Sequence, residues 1–130
     1  MIHKHDYRIY YEDTDAGGIV YHANYLKFAE RGRTEMIRDM NVTNAQLRDD
    51  HGLLIVVRHI DIDYSASAYL EDLITVESRV TDIGKTSFTM EQKIMKDGLP
   101  CATLIVKLVC INADSGRPVR VPDILKEKLR

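Results

Sequence analysis

The sequence predicts an α+β fold in which one long helix lies on an antiparallel sheet of about five strands. Three observations carry that expectation. From Leu53 onward the chain reads as four successive strand-like segments with no helical period between them, and consecutive strands joined by short links pair antiparallel. Asp97-Gly98 is the strongest of those links, a dipeptide suited to a tight hairpin turn. Ahead of the strands, Asn24 to Met40 repeats its apolar residues at three-to-four spacing, the period of a helix with one buried face.

In chain order, "HDYRIYY" (His5 to Tyr11) reads as a first strand with Tyr7, Ile9 and Tyr11 on one face. "EDTDAGG" breaks it, because two adjacent glycines favour a turn. In the long helix Tyr25, Phe28, Ala29, Gly32 and Met36 share a face, and Asn24 is a candidate N-cap. Gly32 costs about 1 kcal/mol relative to Ala inside a helix, so a close backbone approach is expected there. "VTNAQLRDDHG" (Val42 to Gly52) reads as a second, short helix, capped by Thr43 and ended by Gly52. Leu53 to Tyr64 begins as a solid apolar run and becomes alternating, with Ile60, Ile62 and Tyr64 on one face. "DLITVESRVTDIG" and "TSFTMEQKIMK" alternate cleanly. "PCATLIVKLVCI" is apolar on both faces apart from Lys107, which suggests a central strand or one at a subunit boundary. "VPDILKEKL" is either a short helix or a frayed tail.

The 130 residues fit one domain spanning 1–130, with room for a sizeable core. A net charge of −2 argues against a general nucleic-acid binder. Cys101 and Cys110 lie nine residues apart in one apolar strand, roughly 30 Å end to end, too far for a disulfide. They are expected to be reduced core thiols. With no signal peptide, membrane-spanning run or lipidation motif, the cytoplasm is the expected compartment, with no stable membrane insertion. Apolar residues on both faces of several strands predict a homo-oligomer.

The chemistry concentrates between Tyr10 and Arg38. Asp15 precedes Gly17-Gly18 and the helix start. Its carboxylate can attack a carbonyl, take a proton from water, or simply hold an Asx-turn. Asp13 points to the opposite face of an extended chain and reads as a strut for the loop. A metal-binding D-x-D would need further ligands, and none is evident. Gly17 and Gly18 let a reversing loop aim N–H groups at one point, where the helix dipole adds positive character. That arrangement suits an oxyanion, and an ordinary tight turn would use the same glycines. Asn24 and Tyr25 are candidates for positioning substrate, and equally a helix cap and a core residue. "HKH" (His3 to His5) reads as a solvated terminus. Gly84 to Ser87, "GKTS", lacks the upstream glycine of a phosphate-binding P-loop.

"EDTDAGGIVYHANYLKFAERGRTEMIR" (Glu12 to Arg38) resembles the signature of the YbgC-like and hydroxybenzoyl-CoA-type acyl-CoA thioesterases. These are hotdog-fold proteins, in which a curved antiparallel sheet wraps one long helix, and the element order above matches that fold. The resemblance implies an acyl-CoA thioester hydrolase with Asp15 as catalytic carboxylate, nucleophile or general base. The helix-start amide near His22 would polarise the carbonyl, and the His22 ring would orient water or the acyl group. Gly17, Gly18, Asn24 and Tyr25 would shape the substrate site. Lys85, Thr86 and Ser87 would meet the phosphates of coenzyme A across a subunit boundary. No metal or redox cofactor is implied, and the assembly would be a homotetramer, a dimer of dimers. Some hotdog thioesterases use a helix glutamate, which would be Glu30, but the D-x-D-x-G-G context favours Asp15. Two departures stand out: Ala29 replaces an expected larger aromatic and Gly32 an expected alanine, changes that would fall on the pocket floor. A non-catalytic acyl-binding module on the same fold is the competing reading. A hotdog dehydratase, a third reading, would need a histidine paired with a carboxylate across an acyl tunnel, and no such motif stands around His51 or His59.

Overall fold

The computed structural model describes residues 1–130. Its elements are β1 (His3–Arg8), a 3-10 turn (Tyr11–Asp13), α1 (Asn24–Asp39), α2 (Asn44–His51), β2 (Leu53–Tyr64), β3 (Leu73–Ile83), β4 (Ser87–Lys96), β5 (Leu99–Asn112) and α3 (Asp123–Leu129). The five strands form one antiparallel sheet in the order β1-β3-β4-β5-β2. This is the expected hotdog arrangement. The excursion through α1 and α2 carries the chain from one sheet edge, β1, to the other, β2.

The buried face of α1 runs through Tyr25, Phe28, Ala29, Gly32, Arg33, Met36 and Ile37. It packs across β1, β3 and β4. The sheet's inner face meets it with Ile74 and Val76 from β3, Phe88, Met90 and Ile94 from β4, and Leu104, Val106 and Leu108 from β5, in one continuous core. β2 contributes less. Ile55, Ile60 and Ile62 are only half-buried and Val57 is exposed, because α1 does not cover that side. β2 is also an edge, so one row of its backbone groups is unpaired.

Four expectations need correction. The first strand ends at Arg8, not Tyr11, because Asp13 turns the chain: its Oδ2 accepts the Tyr10 N–H at 2.8 Å. Tyr11 is left 83% exposed. His3 and His5 are not a free terminus. They lie in β1, where His3 Nε2 is 2.7 Å from Asp39 Oδ2 and His5 Nε2 is 3.9 Å from Glu35 Oε2, tethering β1 to α1. Ala23, not Asn24, is the N-cap of α1. Ala29 and Gly32 face the core and not the cavity between α1 and β2; Ala29 is fully buried.

Other readings hold. Thr43 and Gln46 form a reciprocal capping box at α2, and Gly52 ends it at φ 61°. Cys101 and Cys110 are both buried and free. The C-terminal segment is a docked helix, with Leu125 and Leu129 buried and Lys128 Nζ donating to the Met40 carbonyl. Gly32 does mark a close approach of helix to sheet, but the neighbour is the Val76 side chain and not a backbone. A Cβ built there would lie 2.5 Å from Val76 Cγ1 and 3.2 Å from Val76 Cβ.

Gly32→Ala should therefore destabilise the protein. The helix-propensity gain of about 1 kcal/mol is outweighed by overpacking against a stiff β-branched neighbour, which typically costs about 1–3 kcal/mol. Urea unfolding should show a net loss, and the Gly32→Ala/Val76→Ala double variant should recover part of it relative to Val76→Ala alone.

Candidate active site

The loop from Asp13 to Tyr21 is closed at its neck by backbone pairing. Tyr21 N–H donates to the Asp13 carbonyl at 3.1 Å, Asp15 N–H to the Ile19 carbonyl at 2.9 Å, and Thr14 bridges Val20. Asn24 adds a side-chain clamp: its Nδ2 donates to the same Asp13 carbonyl at 2.7 Å, in a buried position. Asn24 thus ties the first turn of α1 to the loop instead of capping the helix. The far side of the loop is held by the β2–β3 connection, where Val20 N–H donates to Ala68 and Leu70 N–H to Gly18. That connection is itself pinned. The Asp72 carboxylate accepts the Tyr69 N–H at 2.8 Å and pairs with Lys96 at 2.7 Å. Partial burial pushes the Asp72 carboxyl up, but the Lys96 and Tyr69 hydrogen bonds win and hold it below its ordinary value.

Asp15 is exposed at the loop tip. Its Oδ1 accepts the Gly17 N–H at 2.8 Å and its carbonyl accepts the Gly18 N–H at 3.0 Å. The Asx-turn is therefore present, and it fixes one carboxylate oxygen while Oδ2 keeps its lone pairs free. Of the two glycines only Gly18 has a positive φ, 77°. At Gly17 the constraint is space: a Cβ there would sit 3.3 Å from Asp15 Oδ1, a tight contact that would push on the carboxylate.

Beyond the neck, the backbone N–H groups of His22 and Ala23 have no acceptor in the chain, at the positive end of a sixteen-residue helix. The His22 carbonyl accepts the Tyr64 hydroxyl at 2.8 Å, and the His22 ring lies 4.5 Å from Tyr21 and 6.4 Å from Tyr64, centroid to centroid. Tyr25 is 3% exposed, and its hydroxyl accepts the Ala68 N–H at 3.0 Å. Its ring meets Tyr64 edge-on at 5.6 Å. Tyr25 and Tyr64 form the platform under the helix start. Tyr64 carried no sequence signal beyond its place on an alternating strand.

Asp15, Gly17, Gly18, His22, Asn24 and Tyr25 thus share one end of the molecule. Lys85, Thr86 and Ser87 do not join them. Tyr64 pairs with Ala102 and Ala102 with Ile94, whereas Ser87 pairs with Val109 near the other end of the sheet. Seven residues of β4 separate Ser87 from Ile94, roughly 23 Å. At that far end Lys85 shares a cavity of about 290 Å³ with Arg120, Lys126 and one carboxylate, Asp123, a net-cationic cluster the sequence reading did not assemble. A third feature lies between the two ends. α1 and β2 enclose a cavity of about 300 Å³ that includes Glu30, Arg33, Ile37, Ile55 and Phe88. No group of three or more His, Cys, Asp or Glu side chains is placed to hold a metal, and no helix is long and apolar enough to cross a membrane.

A five-stranded antiparallel sheet wrapped on one long helix, with an exposed loop carboxylate and free helix-start amides at the same end, is a hotdog-fold arrangement, and comparison with known proteins gives the family. The chain belongs to the thioesterase-like superfamily, whose family model matches residues 10–129. Within it, the chain is 42% identical over 119 residues to the acyl-CoA thioesterase YbgC of Haemophilus influenzae, covering 92% of this chain and 88% of that one. It is 36% identical over 116 residues to the acyl-CoA thioester hydrolase YbgC of Escherichia coli, covering 88% and 86%. The crystal structure of a probable thioesterase from Bartonella henselae superposes with a TM-score of 0.89 at 38% identity, covering 94% of this chain and all of that one.

Asn24→Ala tests the loop clamp. Loss of a buried hydrogen bond leaves the Asp13 carbonyl to Tyr21 alone, so unfolding stability should fall by about 1–2 kcal/mol. Amide exchange at Tyr21 should quicken while exchange in β4 and β5 changes only through global stability.

Proposed function

We propose that the protein hydrolyses the thioester of an acyl-CoA to a free acid and coenzyme A. The observation that carries this reading is Asp15: an exposed carboxylate, one oxygen fixed by its own turn, on a loop clamped to the amide-rich start of α1. As a general base, Asp15 takes a proton from water as the oxygen attacks the thioester carbon. The carbonyl oxygen gains the charge, and the N–H groups of His22 and Ala23 with the helix dipole stabilise it. Collapse breaks the C–S bond and the thiolate leaves, to be protonated from solvent or Asp15. As a nucleophile, Asp15 instead forms a mixed anhydride that water opens. Both routes use the same carboxylate and the same amides. The His22 ring, exposed beside Tyr21 and Tyr64, would orient water or the acyl group, and Gly17, Gly18, Asn24 and Tyr25 would shape and support the site. Two free, buried cysteines accord with a cytoplasmic enzyme.

The working unit of this reading is a homodimer joined along β2. That strand offers an unpaired edge and half-covered apolar residues. A two-fold axis through its middle sets Leu53 opposite the partner's Tyr64. It thereby brings the Lys85 end of one copy toward the Asp15 end of the other, reuniting residues that one copy holds apart. Lys85, Thr86 and Ser87, with Arg120 and Lys126, then meet the phosphates of coenzyme A, which favours coenzyme A over a carrier protein. A dimer of dimers would join two such pairs.

Asp15→Asn should lower turnover by about two orders of magnitude or more while leaving unfolding stability nearly unchanged, since the amide oxygen still accepts the Gly17 N–H. Near-full turnover of that variant would remove Asp15 from the chemistry. Lys85→Ala should raise the Michaelis constant for acyl-CoA and leave turnover at saturation almost intact, because it removes a binding contact alone. Steady-state kinetics with a thiol-trapping reagent reads both, and absence of thiol release from a broad acyl-CoA panel alongside acyl-CoA binding would favour a non-catalytic acyl-binding module.

A further inference from the structure

The cavity between α1 and β2 has a mostly apolar lining, with Ile37 from the helix, Ile55 and Val57 from β2, and Phe88, Met90 and Leu108 from the sheet floor; Thr34 and Asn44 are its neutral polar residues. One cation lines it. Arg33 is 8% exposed, and its one hydrogen bond within the chain runs from Nη1 to Gln92 Oε1 at 3.0 Å. A guanidinium has five N–H donors, so most of this one's capacity is unused. Gln92 is neutral and already committed: its Nε2 donates to the Ala29 carbonyl and to Ser78 Oγ, both at 2.9 Å. Glu30, one turn earlier, lines the same cavity but is exposed and forms no ion pair with Arg33. Burial lowers the Arg33 pKa, and the Glu30 charge raises it in part. A nearly buried cation hydrogen-bonded to one neutral partner, in a mostly apolar cavity whose one carboxylate is the exposed Glu30, is an arrangement that a second anion held directly on the guanidinium would relieve.

The geometry points to an acyl subsite for a short chain ending in a carboxylate, its methylenes against Phe88, Met90 and Leu108 and its carboxylate on Arg33. A carboxylate fits better than a hydroxyl because it takes two parallel N–H···O bonds and neutralises the charge. The chain is short because about 300 Å³ lies at the small end of ligand cavities. The inference rests on the dimeric thioesterase reading above. Within one copy Arg33 is nine residues along α1 from Asn24, roughly 14 Å, whereas the two-fold across β2 brings the partner's loop end beside Ile55. The acyl group therefore enters the cavity from the partner's loop.

The test compares glutaryl-CoA with hexanoyl-CoA, which differ in having a terminal carboxylate or a terminal ethyl group. Calorimetry with Asp15→Asn measures binding without turnover. Glutaryl-CoA should bind at least about tenfold tighter, the low end for a charge-assisted pair in a desolvated site, and wild-type kcat/KM should rank the two the same way. Adding Arg33→Leu should abolish the preference, and Arg33→Lys should keep part of it. Equal or weaker binding of glutaryl-CoA would overturn the subsite, whatever the Arg33 variants do, as would a preference that survives Arg33→Leu. The same result follows if a carboxylate of the second copy already neutralises Arg33, since no ligand preference then remains. Should wild-type protein hydrolyse no acyl-CoA, the thioesterase reading fails while the binding comparison still decides the subsite.

Discussion

One helix cannot cover five strands, and much of this molecule follows from that mismatch. An α-helix with its side chains is about 10–12 Å across, and strands stand about 4.8 Å apart, so a five-strand sheet is roughly twice as wide. α1 lies over β1, β3 and β4. The β5–β2 side of the inner face is left with a cavity where a second helix would otherwise pack, and with Ile55, Ile60 and Ile62 half-covered. In the proposed dimer, covering the part of that surface outside the cavity, at Ile60 and Ile62, would be worth about 25 cal/mol per Å², and the open β2 edge would supply backbone pairing.

The same geometry separates the chemistry. α1 begins at the Tyr64 end of β2 and runs toward the Leu53 end, where α2 turns the chain into the edge strand. Asp15 and the helix-start amides are fixed at one end; the Lys85, Arg120 and Lys126 cations gather at the other. In the proposed reaction a coenzyme A thioester needs a carboxylate and an oxyanion site at its carbonyl and cations at its phosphates. One copy holds these two sets at opposite ends of the sheet. In the proposed dimer, antiparallel pairing of two β2 strands would put complementary halves together twice, with the cavity beside α1 between them.

Much of this was legible in the residues. The helical period of Tyr25, Phe28, Gly32 and Met36 and the alternation of Phe88, Met90 and Ile94 depend on local chain geometry, so they survive into the structure almost unshifted. Gly32 signalled a close approach, and Val76 is the neighbour. The loop motif named Asp15, and its turn to Gly17 is in place. What failed was tertiary. Nothing local says that Asp13 accepts the Tyr10 N–H and ends β1 at Arg8, or that Asn24 reaches an Asp13 carbonyl eleven residues back. Tyr64 and the β2–β3 connection support the loop from forty residues or more away in sequence. Arg33 did leave a trace. It stands four residues after Ala29 and three before Met36, on the buried face of the helix, and a cation at such a position is a question in itself.

The most direct test mixes two defective proteins. Asp15→Asn lacks the carboxylate, and Lys85→Glu repels the phosphates; each should be nearly inactive at low acyl-CoA concentration. If each site draws Asp15 from one copy and Lys85 from the other, a heterodimer of the two holds one site with both lesions and one with neither. Unfolding and refolding an equal mixture should then restore about a quarter of wild-type activity, since half the dimers are mixed and each has one intact site. Activity that stays at the level of the separate variants, with heterodimers verified by mass, would contradict the shared site and with it the account of why one helix leaves half the sheet open.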